Sequence, residues 1–270
     1  MVAWCRPESP GVRDPAGGCV PRRNGQQQAE GYTDWKGWSG GSFGRIGPAD
    51  VDYFSREMRR LRPTTPIKDV LEVGFGNGEF LSYCRSQGWN ATGVELLPEL
   101  VEHARSAGFA AHQSDDLDSV PDAGFDVVAA FDVFEHVPPE HSIAFLADLR
   151  RKVRPGGTVI LRYPNADTWL GNPFQNGDPT HVNAIGALKM EYYAGEVGLG
   201  IRSLRAPIRR GFRSSFVHGA HAMTAGVLAR AAGAVAKAIY FPDLRVVLSA
   251  GNVVCVLDPV ESTGASVSGH

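Results

Sequence analysis

Leu71-Glu-Val-Gly-Phe-Gly-Asn-Gly-Glu-Phe80 is the stretch that decides the fold. It begins within a short apolar run at residues 70–73, which is typical of a buried strand, and it leads into a helix predicted over residues 79–86. Three glycines separate the two elements: Gly74, Gly76 and Gly78. Glycine is favoured where the backbone turns sharply and must approach a ligand without a Cβ in the way. The stretch therefore predicts a strand, a ligand-binding turn and a helix.

The same alternation continues along the chain. Further strands are predicted at residues 91–95, 110–113, 125–131 and 158–161, with helices from Pro98 and over 143–153 between them. Residues 125–131 are apolar almost throughout, as expected of a strand that is buried on both faces. We expect an α/β, Rossmann-like, doubly wound sheet of seven strands that is mostly parallel, with an antiparallel C-terminal strand and a helical insertion.

Composition limits the functional classes. The chain has 27 Lys and Arg against 29 Asp and Glu, a net charge of −2 that gives no general reason to expect a nucleic-acid partner. The four cysteines show neither metal-ligand spacing nor a disulfide framework, which favours a reducing compartment. The N-terminus lacks the apolar core of a signal peptide, and no apolar run is long enough to predict a transmembrane segment. We therefore expect a cytoplasmic protein.

Acidic residues follow the carboxyl ends of the predicted strands. Glu95 ends the second strand, where a carboxylate can accept hydrogen bonds from both hydroxyls of a ribose. Asp115 and Asp116 follow the third strand, where an acceptor can meet an adenine amino group, and Asp132 follows the fourth. The glycine spacing is Gly-x-Gly-x-Gly, whereas dinucleotide-binding proteins use Gly-x-Gly-x-x-Gly around a pyrophosphate. The pattern favours a nucleoside ligand without a pyrophosphate.

Five motifs in order resemble those of class I S-adenosylmethionine-dependent methyltransferases: Glu72-x-Gly-x-Gly-x-Gly78, Gly93-Val-Glu95, Phe125-Asp-Val-Val128, Asp132-Val-Phe-Glu-His-Val137 and Pro155-Gly-Gly157. Glu135-His136-Val137 is similar to the ubiquinone-biosynthesis O-methyltransferase branch. The resemblance spans residues 67–165 and implies S-adenosyl-L-methionine as the cofactor. It implies cofactor contacts from Glu72, Gly74, Phe75, Gly76, Gly78, Glu95, Leu96, Asp115, Asp116, Leu117 and Phe131. A Rossmann domain for another ligand such as NAD, and a catalytically silent partner protein, are the alternatives.

Composition and hydrophobic pattern, together with the extent of the resemblance, predict a domain organisation. Residues 1–30, rich in Gly, Pro, Arg and Gln, are expected to be a disordered extension. Residues 31–62 combine an aromatic, glycine-rich segment with a helix at 50–61, and we interpret that segment as a lid over the cleft or as a strap over the outer core. The methyltransferase domain is expected over 63–258, with acceptor-site elements at 163–240 and a tail at 259–270. Near its end we predict strands at 201–208, 245–248 and 253–257.

Three catalytic candidates stand out: Glu135, His136 and His181. With Asp132, the first two have spacings of three and four, so one helical turn would place the three on one side, where they can hold a divalent cation such as Mg²⁺. The alternative is that they shape the cofactor pocket without metal. His181, whose ordinary pKa lies near neutrality, is a candidate base, and the alternative is a role in ordering its loop.

Predicted acceptor contacts are Trp35, Trp38, Asp178, Asn183 and Arg209. Arg209 belongs to a group of arginines at 202–213 that suits a negatively charged acceptor or, alternatively, forms a solvated basic face. Trp35-Lys-Gly-Trp38 and Asp178-Pro-Thr-His181 are similar to segments of methyltransferases of bacterial polysaccharide and glycoside biosynthesis. We therefore expect O-methylation of a small-molecule or glycoside hydroxyl, with N- or C-methylation as the alternative.

The Ala-rich residues 215–239 are predicted to be helical. They could cap the acceptor cleft, form the face of a homodimer or lie on a membrane surface. Their few polar residues favour burial against protein over a membrane surface.

Overall fold

The computed structural model describes residues 31–61 apart from 32, 34 and 39, and residues 66–114, 117–209 and 216–260. The extension predicted to be disordered at 1–30, and residues 261–270 of the tail, lie outside this range. Two predicted cofactor contacts, Asp115 and Asp116, also lie outside it, as do Arg210 and Arg213 of the arginine group.

Strands and helices alternate along the described residues. The strands are β1 Asp69–Val73, β2 Asn90–Glu95, β3 Ala110–Gln113, β4 Phe125–Phe131, β5 Val153–Pro164, β6 Leu199–Arg205 and β7 Asn252–Pro259. The helices are α1 Pro48–Leu61, α2 Glu79–Ser86, α3 Pro98–Ser106, α4 Ser142–Lys152, α5 Asn172–Gly177, α6 Ala187–Glu196, α7 Phe216–Met223 and α8 Ala225–Tyr240. Short 3₁₀ turns at Phe134–His136, Pro139–His141 and Trp169–Gly171 complete the set.

The seven strands form one sheet in the order β3-β2-β1-β4-β5-β7-β6. Strands β1 to β5 pair in parallel, and β7 lies antiparallel between β5 and β6. This confirms the predicted Rossmann-like sheet. The strand order reverses between β1 and β4, and in such sheets ligands bind at that switch point, beyond the carboxyl ends of the strands.

Helices cover both faces of the sheet, as the apolar strands require. In β4, Val127 and Ala129 face the layer that contains Phe54 of α1, whereas Val128 and Ala130 face the layer that contains Leu146 of α4. Because β4 is buried on both faces, its sequence, which is apolar apart from Asp126, correctly indicated a central strand. The sheet thereby holds the turns at its carboxyl edge in place.

The predicted strand at residues 245–248 is wrong: this segment is irregular. Both edges of β7 are already occupied by β5 and β6, so the segment has no strand edge of β7 to join. Instead, the Asn165 side-chain amide donates hydrogen bonds to the carbonyls of Val247 (2.5 Å) and Ala250 (3.0 Å). A side-chain amide therefore satisfies backbone groups that a β-ladder would otherwise pair.

The Ala-rich segment is helical where the structure describes it, as predicted, and it breaks at Thr224 into α7 and α8. By length and composition alone, the stretch Gly219–Tyr240 would suffice to cross a membrane, which the sequence analysis did not anticipate. The expected burial of this helix against protein is wrong for the described residues, because its large apolar side chains, such as Leu228 and Tyr240, are exposed.

Candidate active site

The glycine turn after β1 has a backbone that side chains disfavour. Gly74, Gly76 and Gly78 have φ values of +68°, +51° and +76°, in the left-handed region. A Cβ at Gly74 would lie 2.5 Å from the Val133 side chain, just beyond β4. The Gly74 N–H also donates a 2.8 Å hydrogen bond to the Val94 carbonyl of β2. The turn is therefore held between the ends of β1, β2 and β4.

Glu95 places a buried carboxylate beside this turn. It accepts hydrogen bonds from the Gly76 N–H on Oε2 (3.1 Å) and from the Leu96 N–H on Oε1 (2.7 Å). Burial raises the pKa of Glu95, although these backbone donors partly oppose the shift. Oε1 also accepts from the Leu97 N–H at 3.3 Å, so both of its lone pairs are used, and the remaining lone pair on Oε2 can accept a hydrogen bond from a ribose hydroxyl.

Glu72 brings a second carboxylate to the same edge. Its Oε2 is buried and has no hydrogen-bond partner among the described residues. Burial raises the pKa of Glu72 well above the ordinary range, and repulsion from Glu79 raises it further. An orphaned buried carboxylate oxygen fits a cationic donor, and the ammonium group of S-adenosylmethionine is one. The glycine cradle and the two carboxylates together fit this cofactor.

The N-terminal segment lies directly on the glycine turn. A Cβ at Gly76 would be 2.9 Å from the Trp38 ring, and one at Gly78 would be 2.4 Å from the Phe43 ring. Backbone contacts support this placement, since the Gly44 N–H donates to the Asn77 carbonyl at 2.6 Å. The segment therefore covers the predicted cofactor turn, as a lid would.

Opposite the cradle, a histidine cluster forms from two separate parts of the chain. The N–H groups of Val182 and Asn183 donate to the Glu135 carbonyl at 2.9 and 3.0 Å, which fastens the loop before α6 to the turn after β4. The His136 and His181 rings then meet edge to face, with centroids 4.6 Å apart. The structure thus brings together all three predicted catalytic residues.

Thr180 decides the tautomer of His136. Its hydroxyl donates to Asp178 Oδ1 at 2.6 Å and lies 2.9 Å from His136 Nδ1, while its carbonyl lies 3.3 Å from the same nitrogen. Since the hydroxyl proton is directed to Asp178 and a carbonyl can only accept, Nδ1 must carry the imidazole hydrogen. Nε2 then carries the lone pair, as a general base requires. Sequence reasoning missed Thr180, although the Asp178-Pro-Thr-His181 motif contained it.

Burial controls protonation in this cluster. It lowers the pKa of His136 to about 4, with His181 contributing further, and it also lowers the pKa of His181. For Asp178, burial acts to raise the pKa, but hydrogen bonds from Thr180 and then Lys36 outweigh it and lower the pKa to about 2. Near neutral pH the two imidazoles are therefore uncharged and Asp178 is ionised.

Lys36 joins the covering segment to the histidine cluster. Its Nζ lies 3.0 Å from Asp178 Oδ2, and the Asp178 side chain is almost fully buried. Trp35 beside it is exposed, with its ring 4.8 Å from the Lys36 ammonium. The ion pair links the cover of the cofactor turn to the relay that orients His136.

The predicted metal-ligand set needs a correction. The 3₁₀ turn begins only at Phe134, and Asp132 has a φ of +56° and forms an ion pair with Arg162 of β5. Asp132 is therefore not on one helical turn with the other two candidates. The ligand atoms that do lie within 4.8 Å of one another belong to Glu135, His136 and His181. Two imidazoles and one carboxylate suit a transition metal better than Mg²⁺, which prefers oxygen ligands.

The remaining predicted residues have varied surroundings. Asn183 is buried, and its amide donates to the Ser142 hydroxyl at 2.9 Å. Arg202 pairs with Asp258 at 3.0 Å. Arg205 pairs with Glu57 at 2.5 Å. These two ion pairs therefore join β6 to β7 and to α1.

Four more predicted contact residues have defined surroundings. Arg209, predicted to contact the acceptor, lies beside Gly226 of α8. Phe75 is buried against Gly93, and Leu117 is buried. Phe131 packs edge to face on Phe80 in the layer below the glycine turn. A direct contact of these side chains with cofactor or acceptor stays a prediction.

Comparison with known proteins agrees with this geometry. Residues 50–204, more than half of the chain, match the family model described as a methyltransferase domain. A ubiquinone biosynthesis O-methyltransferase of Xanthomonas campestris pv. campestris is 28% identical over 124 residues, which cover 43% of this chain and 49% of the relative. One of Xylella fastidiosa is 30% identical over 125 residues, with 43% and 48% covered. The chain spans about half the length of the curated relatives it matches.

Solved structures share the fold at low sequence identity. A SAM-dependent methyltransferase from Archaeoglobus fulgidus has a TM-score of 0.55 and 19% identity, with 79% of this chain and 95% of that chain covered. An S-adenosylmethionine-dependent methyltransferase from Clostridium acetobutylicum has a TM-score of 0.54 and 10% identity, with 87% and 98% covered. With the glycine cradle, the acid ending β2 and the family match in agreement, the chain belongs to the methyltransferase domain family and is a class I S-adenosylmethionine-dependent methyltransferase by fold.

Proposed function

We propose that this protein transfers a methyl group from S-adenosylmethionine to a hydroxyl oxygen of a small molecule. The observation that carries the proposal is the oriented, uncharged imidazole of His136. It lies on the turn that also carries Val133, whose side chain contacts the glycine cradle at Gly74. This position next to the cofactor turn supports the proposed role of His136 as the base.

The residues of the cradle bind the cofactor and the cluster prepares the acceptor. When bound, the sulfonium of S-adenosylmethionine supplies the electrophilic methyl group. Oε2 of Glu95 accepts a hydrogen bond from the ribose, and Glu72 accepts one from the ammonium group. His136 Nε2 takes the proton of the acceptor hydroxyl as the oxygen attacks. Trp38 and Phe43, which lie on Gly76 and Gly78, exclude water by covering the turn.

Oxygen as the methylated atom is favoured by two observations. The curated relatives that match 124 and 125 residues of the chain are ubiquinone biosynthesis O-methyltransferases. A hydroxyl loses its proton on methylation, and a neutral imidazole with a lone pair on Nε2 can accept it. We propose hydroxyls of glycosides or other small metabolites as acceptors, and a cytoplasmic site of action, where the buried free thiols of Cys84 and Cys255 stay reduced.

Two measurements test this proposal. Calorimetry with S-adenosylhomocysteine should show binding that Glu95→Ala weakens, and binding that is unchanged in this variant would refute the assigned cofactor site. Mass spectrometry should then detect methylated products from a panel of glycosides, phenols and matched amines. Transfer to hydroxyls supports O-methylation, and transfer to the amines alone would overturn it. A comparison with and without a chelator shows whether the Glu135, His136 and His181 cluster requires metal.

A further inference from the structure

Helix α8 exposes most of its apolar surface. Its buried residues are Gly226 and Gly233, and a Cβ at Gly233 would lie 2.8 Å from Ser249. The helix thus rests on the body of the protein through small residues, whereas its larger side chains face outward. Val227, Leu228, Val235, Ile239 and Tyr240 are between 48% and 72% exposed. An apolar face of this extent on a protein surface marks an interaction site.

The part of the chain that contains α8 carries positive charge. Residues 197–242 contain seven of the chain's 27 Lys and Arg residues and none of its 29 Asp and Glu residues. Arg230 and Lys237 belong to α8 itself and border its apolar residues. Arg202 and Arg205 pair with Asp258 and Glu57, and Arg210 and Arg213 lie outside the described residues, so the cations that border the apolar helix are Arg230 and Lys237. Such a surface complements an anionic one that also accepts apolar side chains.

The helix lies at the same edge of the sheet as the candidate active site. Ser249, on which Gly233 rests, comes just before β7, and Asn252 at the start of β7 pairs with Pro164 at the carboxyl end of β5. The 3₁₀ turn before α5 adds Trp169 to this edge, with 77% of its surface exposed. A partner bound to α8 would therefore lie near the acceptor side of the protein.

We propose that α8, through Val227, Leu228, Val235, Ile239 and Tyr240 with Arg230 and Lys237, binds the surface of an anionic lipid bilayer. Basic residues beside an apolar helical face are the pattern of helices that lie in the membrane interface. A second copy would present the same cations and no acidic residue from this segment, so repulsion disfavours pairing of two such faces.

The helix lies along the interface and does not cross the bilayer. The 16 residues of α8 span about 24 Å at about 1.5 Å per residue, less than the hydrocarbon core of about 30 Å. The break at Thr224 and the contact of Gly233 with Ser249 keep the helix against the body of the protein. The active site would then face acceptors that reside at the bilayer surface.

Co-sedimentation of the full chain with vesicles tests this inference and needs no catalytic activity, so its outcome is separate from that of the proposed function. We expect binding to phosphatidylcholine vesicles with 30% phosphatidylglycerol, used here at roughly the anionic content that gives a marked surface potential. Binding to pure phosphatidylcholine should be at least about tenfold weaker, and salt should reduce the binding to the anionic vesicles.

Matched variants locate the surface. Leu228→Glu combined with Ile239→Glu should lower vesicle binding at least about tenfold, because two apolar side chains are lost from the interface. Leu188→Glu, at a similarly exposed apolar position on α6, should leave binding unchanged. Circular dichroism confirms that each variant is folded. Equal loss in the Leu188 variant, equal binding to neutral vesicles, or dimerisation through α8 without vesicle binding would each overturn the proposal.

Discussion

Replacement of Thr180 by Val tests whether the relay to His136 matters for turnover. The change is nearly isosteric and removes the hydroxyl that contacts Asp178 at 2.6 Å and His136 Nδ1 at 2.9 Å. Loss of a hydrogen bond in a buried site costs about 1–3 kcal/mol, which corresponds to about 5- to 150-fold in rate if all of it is felt in the transition state. The Thr180 carbonyl, 3.3 Å from Nδ1, remains as an acceptor. We therefore expect a fall in kcat at the lower end, about tenfold.

The assay separates orientation of the base from binding. Initial rates of methyl transfer give kcat and KM, and calorimetry with S-adenosylhomocysteine gives cofactor affinity, which should change by less than about twofold because the cradle is untouched. Thr180→Ser keeps the hydroxyl and should retain most of the activity. A Thr180→Val enzyme with the parent's kcat, or a Ser variant as impaired as the Val variant, would show that the hydroxyl does not orient His136.

Three further predictions concern the same site. Gly76→Ala should destabilise the fold by about 1–2 kcal/mol and weaken cofactor binding, since the residue has a φ of +51° and its Cβ would meet the Trp38 ring; chemical denaturation and calorimetry check this. Lys36→Met should raise the cofactor dissociation rate, because the ion pair to Asp178 no longer holds the covering segment closed. Stopped-flow measurement of cofactor release checks this, and a dissociation rate equal to that of the parent protein would contradict it. His136→Gln should make unfolding stability less sensitive to pH between about 6.5 and 4. Burial lowers the pKa of His136 to about 4, so the unfolded chain binds a proton at this residue more readily than the folded chain. The contribution of His136 to the free energy of unfolding is therefore intact above pH 6.5 and is lost as the pH falls toward 4. Urea unfolding of both proteins at several pH values measures this, and an equal dependence of stability on pH in the two proteins would contradict it.

Local pattern was sufficient for most of the fold. Helix α2 and strands β3 and β4 begin and end at the predicted residues, because glycine turns and apolar runs mark boundaries in the sequence itself. The run Val246-Val-Leu248 carried the same local signal as a strand and still remained irregular. Strand formation needs a free neighbouring edge, and the sequence of the segment does not report whether one exists.

The sequence predicted the individual residues of the candidate site but not their arrangement in space. Glu135, His136 and His181 were candidates from their types and motifs, yet the spacing of Asp132 suggested a helical turn that does not form. Thr180 lies far from His136 in sequence, and no periodicity connects them. Such long-range pairs leave no trace in local spacing.

By itself the sequence determined the order of the strands and helices, the glycine turn after β1 and the acid at the end of β2, since each depends on neighbouring residues and on backbone conformations that glycine permits. The tertiary structure alone decided that Asp132 turns to Arg162, that Thr180 orients His136 and that α8 leaves its apolar side chains exposed. These outcomes depend on which distant surfaces meet when the sheet forms and on which groups lose contact with water, and no single segment contains that information.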